Sequence, residues 1–304
     1  MNDGDDAPRR AWVMDAFRTA CRYDVLAVKP GNVSVLSPGH RMTARDFLVS
    51  AAVAVAPASA TGAGVGASVC AAVDATLAAV GCNTNLGILL LAVPLMHAAL
   101  RRRASQSLRA SLREVLAGTT VADSVAVFTA IRRANPAGLG TAAREDVADA
   151  PTLPLLEIMA LAKARDALSA QYANGFEAVF QLGVPTLRAS CQQGSVLSLA
   201  TTACYMGFLS AFPDTHIARK LGTAAAVEIQ QRGQAVESTW KACQNPARRR
   251  SLLSAFDNAL KNEGVNPGTS ADLTVASLLA WLLDTAPPRH HGLSVPSGAQ
   301  ANPK

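Results

Sequence analysis

The sequence predicts an all-α protein of about ten helices in one domain over residues 1–284. Half of the 304 residues are apolar, but only 5% are aromatic and alanine dominates the apolar set, which favours closely packed helices over a β sandwich. No run of alternating β-branched residues indicates a strand, and no βαβ alternation or helical repeat of fixed period is present. Apolar residues at helical spacing and helix-capping residues recur along the chain instead.

The first half of the chain is divided into helices by proline, glycine and capping residues. The first helix must end before Pro30, because proline disfavours helical geometry in the preceding residue. Thr43 with Asp46, and Thr120 with Asp123, are residue pairs typical of helix starts. The predicted helices of this half are 11–28, 43–57, 67–80, 88–100, 105–116 and 120–133.

Residues 135–151 form the most polar and proline- and glycine-rich interior segment. The segment is interpreted as a long loop within one domain, with a domain boundary as the alternative. The predicted helices after it are 152–173, 185–212, 214–240, 247–262 and 269–283. Residues 285–304 contain four prolines and no apolar periodicity, which predicts a disordered tail.

Charge and cysteine content limit the classes of function. The net charge of +6 comes from scattered arginines without interleaved aromatic residues, which disfavours nucleic acid and suits a polyanionic small molecule. The six cysteines include no C-x-x-C pair, which predicts a reducing, cytoplasmic location. The acidic N-terminus does not resemble a signal peptide, and the most apolar window, 86–100, is shorter than a membrane span.

Four short polar segments stand at predicted helix boundaries. They are residues 29–34 (KPGNVS), 81–87 (GCNTNLG), 213–216 (PDTH) and 266–272 (NPGTSAD). Each alone is a plausible cap or turn, but four in one helical chain predict a single polar site assembled from several helix ends. Helix starts bind anions well, because their free amides and the helix dipole favour negative charge.

The residue types in these segments suit a magnesium–polyphosphate ligand. Lys29, held by a Pro-Gly turn, is a candidate phosphate ligand, and Asp214 and Asp272 are candidate Mg²⁺ ligands. Arg219 and the Arg165–Asp166 pair offer further phosphate partners and another carboxylate. The chain has no P-loop, Rossmann glycine motif or serine nucleophile elbow.

Taken together, the segments resemble the triphosphoribosyl-dephospho-coenzyme A synthase family. Residues 29–31 (KPG) resemble its Pro-Lys-Pro-Gly turn, and 81–84 (GCNT) resemble its Gly-x-Asn-Thr motif. Residues 39–42 (GHRM) resemble its Gly-Ala-His-x-Asp-Met segment, and 214–219 (DTHIAR) its Asp-Thr-Asn-x-x-x-Arg motif. Residues 266–273 (NPGTSADL) match its Asn-Pro-Gly-x-Ser-Ala-Asp-Leu motif closely, and the resemblance spans residues 11–283 in the same order.

The resemblance implies an all-α transferase of prosthetic-group biosynthesis that uses ATP with Mg²⁺. A ribose hydroxyl of dephospho-coenzyme A, a coenzyme A precursor, attacks the anomeric carbon of ATP, and adenine leaves. Candidate catalytic carboxylates are Asp214, Asp272 and Asp166, with Asp214 and Asp272 also as metal ligands. The candidate nucleotide-binding residues are Lys29, Asn32, Asn83, Thr84, Asn85, Thr215, Arg219, Asn266 and Ser270.

Three departures from the family pattern leave the acceptor open. Asn85-Leu86 stand where the family has His-Lys, Arg41 stands in place of an aspartate, and Asp24 stands at best for a glutamate ahead of the first motif. Residues 30–34 (PGNVS) and 83–87 (NTNLG) resemble a divergent branch associated with pterin- and furan-type one-carbon cofactors. The alternatives are therefore a related enzyme with another acceptor and a non-catalytic nucleotide-binding helical protein; no nucleic-acid or membrane partner is expected.

Overall fold

In the computed structural model, residues 6–60 and 62–284 are described, and within them the chain forms α-helices and one π-helical segment but no strand. The predicted tail at 285–304 lies outside the described residues. The helices are α1 (Asp6–Leu26), α2 (Ala44–Ala58), α3 (Val65–Val80), α4 (Leu86–Arg101), α5 (Leu108–Ala117), α6 (Val121–Ala134), α7 (Leu155–Ala162), α8 (Ala167–Asn174), α9 (Val184–Gln192), α10 (Leu197–Ala211), α11 (Thr215–Leu221), α12 (Thr223–Ala242), α13 (Pro246–Asn262) and α14 (Gly268–Asp284), and the π segment is Val179–Gly183.

The all-α prediction is confirmed, but the described residues form fourteen helices rather than about ten. The predicted long helices are interrupted where one residue satisfies a new helix end. Asp166 caps α8 by accepting from the Ser169 amide, which splits the predicted helix 152–173. Gly194, at φ +84°, lies between α9 and α10, and Gly222, at φ +93°, separates α11 from α12.

Helices α4 and α14 lie at the centre of the fold. Nearly all residues of both helices are buried, as expected for helices that are apolar on every side. They pack against each other, and α14 also contacts α1, α9 and α10. A second, smaller core lies among α10–α13 and includes Tyr205, Ile229 and Trp240.

The predicted helix starts are confirmed where a capping side chain was the signal. The Asp46 carboxylate accepts from the Thr43 amide at 2.7 Å, at the start of α2. The Asp123 carboxylate accepts from the Thr120 amide at 2.8 Å, at the start of α6. Between α6 and α7 the chain has no regular element, as predicted for 135–151, and helix α1 ends at Leu26, before the Pro30 turn.

None of the described helices is by itself long and apolar enough to cross a membrane. Helices α5 and α6 reach the required length and composition only as a pair, and the chain bends by 96° between them.

Candidate active site

The start of α14 brings the four polar segments together. The side-chain oxygen of Asn266 accepts a hydrogen bond from the side-chain nitrogen of Asn32 at 2.8 Å, which joins the last segment to the first. The Thr269 hydroxyl lies 3.1 Å from the Thr215 hydroxyl and accepts from the His216 amide at 3.0 Å. Because residues 32, 215 and 269 are far apart in the chain, the convergence depends on tertiary packing.

A tight turn seats the first segment against this helix start. Gly31 has φ +82°, and a Cβ added there would lie 2.8 Å from Cδ of Pro267. The Pro30 carbonyl accepts from the Tyr205 hydroxyl at 2.6 Å, and the Gly31 carbonyl bonds to His40 Nε2 at 2.8 Å. Glycine is required here, because the turn combines positive φ with close approach to the Pro267 ring.

Lys29 is buried behind this turn rather than presented to a ligand. The residue is 1% exposed. Its Nζ lies 2.6 Å from Oδ1 of Asp24 and 2.5 Å from Oδ1 of Asn32. The ammonium therefore holds the Asp24 carboxylate and the Asn32 amide in place. The expected direct contact between Lys29 and phosphate does not fit this geometry.

Asp214 is fully occupied as a cap that serves two helices. Its Oδ1 accepts from the amides of His216 and Ile217, at the start of α11. Its Oδ2 accepts from the amide and the hydroxyl of Ser270, both at 2.8 Å, at the start of α14. With four donors on two oxygens, Asp214 has no lone pair directed at a cation, so the expected metal and catalytic roles do not fit it.

Asp272 is in the opposite situation. It makes no hydrogen bond or ion pair with the described residues, and its carboxylate lies against Gly87 in the first turn of α4, where a Cβ would overlap Oδ2. The amides of Gly87 and Ile88 in that turn have no acceptor among the described residues. The free amides at the start of α4 and the unpaired carboxylate of Asp272 are therefore adjacent.

Asp272 lies on the wall of a cavity of about 390 Å³, a volume typical of small-molecule sites. The predicted residues that line it are Asn32, Asn83, Thr84, Asn85, Asp166, Arg219, Asn266 and Asp272. The predicted residues that do not line it are Lys29, Asp214, Thr215 and Ser270. Lys29 is hydrogen-bonded to the lining residue Asn32, and Asp214 to the amide of the lining residue His216.

The asparagine-rich segment before α4 forms one part of this wall. The Asn83 side chain accepts from the Leu86 amide at 3.1 Å, at the helix start. The Thr84 hydroxyl donates to Ser50 at 2.6 Å, and the Asn85 side chain donates to the Thr76 hydroxyl at 3.1 Å. The segment is therefore fixed by α2 and α3 while its other surface faces the cavity.

Two arginines supply the positive charge of the wall. Arg219 donates to Oδ1 of Asp166 at 2.8 Å, while Oδ2 of Asp166 accepts from the amide and hydroxyl of Ser169. Asp166 therefore positions Arg219 and caps α8, a geometry that leaves it no free oxygen for catalysis. Arg165 is exposed and borders the same cavity.

Several residues of the wall are not predicted by the sequence. Asp24 is in the sequence only a substitute for a family glutamate, and its spacing of five residues before Lys29 is the available signal. His216 packs its ring on Gly268, where a Cβ would overlap Nδ1. The apolar residues contributed by α6 and α7 gave no signal, because apolar residues on a helix predict packing and nothing more.

Burial and nearby charge alter the acid–base behaviour of the site. The pKa of Asp272 is raised well above its usual value, mainly by burial and also by the carboxylates of Asp24 and Asp214, although Arg219 and Lys29 oppose the shift. Burial likewise lowers the pKa of His216, which favours its neutral form. A carboxyl group with a raised pKa that faces a cavity is suited to exchange a proton with a ligand.

Comparisons with known proteins agree with this picture. A family model described as CitG, ATP:dephospho-CoA triphosphoribosyl transferase, matches residues 10–290. A curated Pseudomonas fluorescens protein named "probable 2-(5''-triphosphoribosyl)-3'-dephosphocoenzyme-A synthase" is 34% identical over 106 residues, which are 35% of this chain and 36% of that protein. The alignment thus spans about a third of that relative.

A solved structure has the same fold. It is a crystal structure from Archaeoglobus fulgidus, provisionally assigned as a triphosphoribosyl-dephospho-coA synthase, with a TM-score of 0.60 and 24% identity over 78% of this chain and 99% of that chain.

Proposed function

The chain belongs to the CitG family of ATP:dephospho-CoA triphosphoribosyl transferases, and we propose that it moves a triphosphoribosyl group from ATP to a dephospho-CoA-like acceptor with release of adenine. The observation that carries the proposal is the Asp272 carboxylate, which faces the cavity without a protein partner beside the free amides of α4. A cytoplasmic location and a place in prosthetic-group biosynthesis belong to the same proposal.

The proposed reaction exchanges one bond at the anomeric carbon for another. The acceptor hydroxyl oxygen forms a bond to C1′ of ATP, the bond from C1′ to N9 of adenine breaks, and the triphosphate stays on the ribose. The hydroxyl loses one proton and the departing adenine gains one. The protein must therefore hold a polyphosphate, supply a base, and tolerate positive charge developing at C1′.

We assign the role of base to Asp272. Its carboxylate has free lone pairs, and its raised pKa makes it a better proton acceptor than an ordinary aspartate. In the ionised form it also stabilises the positive charge that develops at C1′. Asp214 and Asp166 become positioning residues in this proposal, because the first holds the start of α14 and the second holds Arg219.

The triphosphate is assigned to the polar part of the wall. Arg219 and Arg165 supply positive charge, and the amides of Gly87 and Ile88 supply donors at a helix start. The side chains of Asn32, Asn83, Asn85 and Asn266 add neutral polar groups around them. Lys29 supports this surface from behind through Asn32.

The donor set of the wall fits Mg²⁺ when phosphate oxygens complete it. Asp24 lines the same wall, and Mg²⁺ in nucleotide sites takes one or two carboxylates together with phosphates and waters. No three His, Cys, Asp or Glu side chains of the described residues are arranged to hold a metal by themselves. When bound, the ion would neutralise part of the phosphate charge, and Asp24 would hold it, which leaves Asp272 available as the base.

A related enzyme with a different acceptor is the second candidate function. Leu86 lines the cavity at the position where the family resemblance has a lysine, and Arg219 is already paired with Asp166. The wall therefore has little positive charge left for a second polyanionic substrate. An acceptor from pterin- or furan-type one-carbon cofactor biosynthesis would need less positive charge in the wall.

The test is chromatographic detection of free adenine from ATP and Mg²⁺ with purified protein. Adenine that appears only when dephospho-coenzyme A is present supports the first candidate, and the adduct mass should equal acceptor plus ATP minus adenine. Adenine release with another hydroxyl-bearing acceptor alone supports the second candidate. No release with any acceptor would contradict both.

A further inference from the structure

A second part of the cavity wall is apolar and differs in chemistry from the helix starts. We call it the apolar wall; it consists of Val127, Phe128 and Ile131 of α6, Leu139 and Val147 of the connection after α6, and Ile158 of α7. No lysine or arginine lies among these residues. The two arginines that line the cavity come from the α7–α8 turn and from α11.

The apolar wall adjoins the larger hydrophobic core, because Val127 belongs to that core and Ile131 packs against it, but two other buried residues of the wall lie outside both cores. Phe128 and Ile158 are 2% and 6% exposed, yet neither belongs to either core cluster. Their remaining apolar surface borders the cavity instead. Leu139, on the connection, is 44% exposed and borders the same space.

The carboxylate of Glu145, which lines the cavity beside the apolar wall, is already satisfied. Both carboxylate oxygens of Glu145 accept from Thr152, one from its hydroxyl at 2.5 Å and one from its amide at 3.0 Å. The connection is also held in place, because Arg132 donates to the Val147 carbonyl at 2.6 Å. A Cβ at Gly138 would lie 2.6 Å from the Arg219 carbonyl, so this loop packs closely on α11.

We propose that the apolar wall binds the purine base of the nucleotide donor, and that Phe128, Ile131 and Leu139 determine its affinity. The inference rests on the proposed function, in which the donor is ATP. Phosphate is excluded by an apolar surface without cations, whereas an uncharged, flat heteroaromatic ring gains free energy by leaving water there. With the triphosphate at the helix starts, the ribose carbon would lie between them, near Asp272.

The experiment compares the affinities of ATP and of inorganic tripolyphosphate, each with Mg²⁺ and without acceptor, by calorimetry. The variants are Ile131→Gln on α6 and Leu139→Gln on the connection, and Val125→Gln is the matched control, since Val125 lies on α6, is 46% exposed and does not border the cavity. Both wall variants should bind ATP about tenfold more weakly, as expected for loss of one apolar contact. Tripolyphosphate affinity and the control should stay within about twofold.

Three results would overturn the inference. They are unchanged ATP affinity in both wall variants, equal losses for ATP and tripolyphosphate in correctly folded variants, and a change confined to the KM of the acceptor. Unfolding is monitored by melting temperature, and the exposed Leu139 variant remains informative if Ile131→Gln fails to fold. Because no turnover is needed, a chain that binds ATP as described but releases no adenine would contradict the proposed function alone.

Discussion

Asp214 and Asp272 lie at the same group of helix starts, but their carboxylates are used in different ways. Asp214 accepts four hydrogen bonds and is 1% exposed, whereas Asp272 accepts none from the described residues and lines the cavity. Both belong to sequence motifs that look equally functional. The difference teaches that the count of protein donors on a carboxylate, rather than its motif, separates a structural acid from one available to a ligand.

Asp123 shows that the Asp214 arrangement also occurs outside the site. Its Oδ2 accepts from Thr120 at the start of α6, and its Oδ1 accepts from the Gly66 amide at the start of α3. One buried carboxylate thus joins two helix starts in each case. Asp272 breaks this pattern, and the following experiments test whether the contrast is real.

The largest expected effect is loss of turnover in Asp272→Asn. Removal of a base lowers adenine release by about 10³-fold, while the fold is kept because no hydrogen bond to the described residues is lost. Asp284→Asn, at the other end of α14, is the control and should retain activity. Normal turnover in Asp272→Asn would show that Asp272 is not the base.

The reverse pattern is expected for Asp214→Ala. The Ile217 and Ser270 amides and the Ser270 hydroxyl lose their acceptor, and the His216 amide keeps only the Thr269 hydroxyl, which lowers the free energy of unfolding by roughly 3 kcal/mol in urea titrations. Asp46→Ala removes an exposed cap and should cost only about 1 kcal/mol. If Asp214→Ala keeps its stability but loses Mg²⁺–ATP affinity, the assignment of Asp214 as a cap is wrong.

Gly87→Ala should displace the Asp272 carboxylate without removing it, which tests the importance of its position. A Cβ at Gly87 overlaps Oδ2 of Asp272, so the carboxylate must move, and a misplacement of this kind lowers adenine release by about 10²-fold. At Gly62 an added Cβ meets no atom within 4 Å, so Gly62→Ala is the control. Equal turnover in the two variants would show that the position of Asp272 is unimportant.

The smallest expected effect is on the pH dependence of stability. The raised pKa of Asp272 means that the folded state holds its proton at pH values where the unfolded chain, with a pKa of about 3.9, has lost it. Stability therefore falls as pH rises from the unfolded to the folded pKa, and this loss is absent in Asp272→Asn. Melting temperatures of both proteins across that range measure it, and parallel curves would contradict the shift.

Local signals allowed much of the fold to be predicted. Capping pairs such as Thr43 with Asp46 located helix starts, because the donors and acceptor lie within one turn of chain. Helix number was underestimated, since a break such as Gly222 between α11 and α12 interrupts no apolar pattern. The predicted convergence of four polar segments is supported by the bonds from Asn32 to Asn266 and from Ser270 to Asp214, and by the contact between Asp272 and Gly87.

Individual roles in the site were harder to predict, and Lys29 shows why. A lysine beside a Pro-Gly turn suggested a phosphate ligand, but its ammonium is paired with Asp24 and Asn32. The direction of a side chain at a turn depends on which elements pack behind it. The apolar wall was missed for a related reason, because Phe128 has the same residue type whether it faces a core or a cavity.

The sequence by itself determined the helical class, the main helix starts and the residue types available for polyphosphate chemistry, because each depends on neighbours within a few residues. Only the tertiary structure decided which carboxylate is available to a ligand. Hydrogen bonds such as that from Ser270 to Asp214 join residues 56 positions apart, and contacts of that range form only when the helices pack. The cavity likewise exists only where α4, α6, α7 and α14 leave space between them.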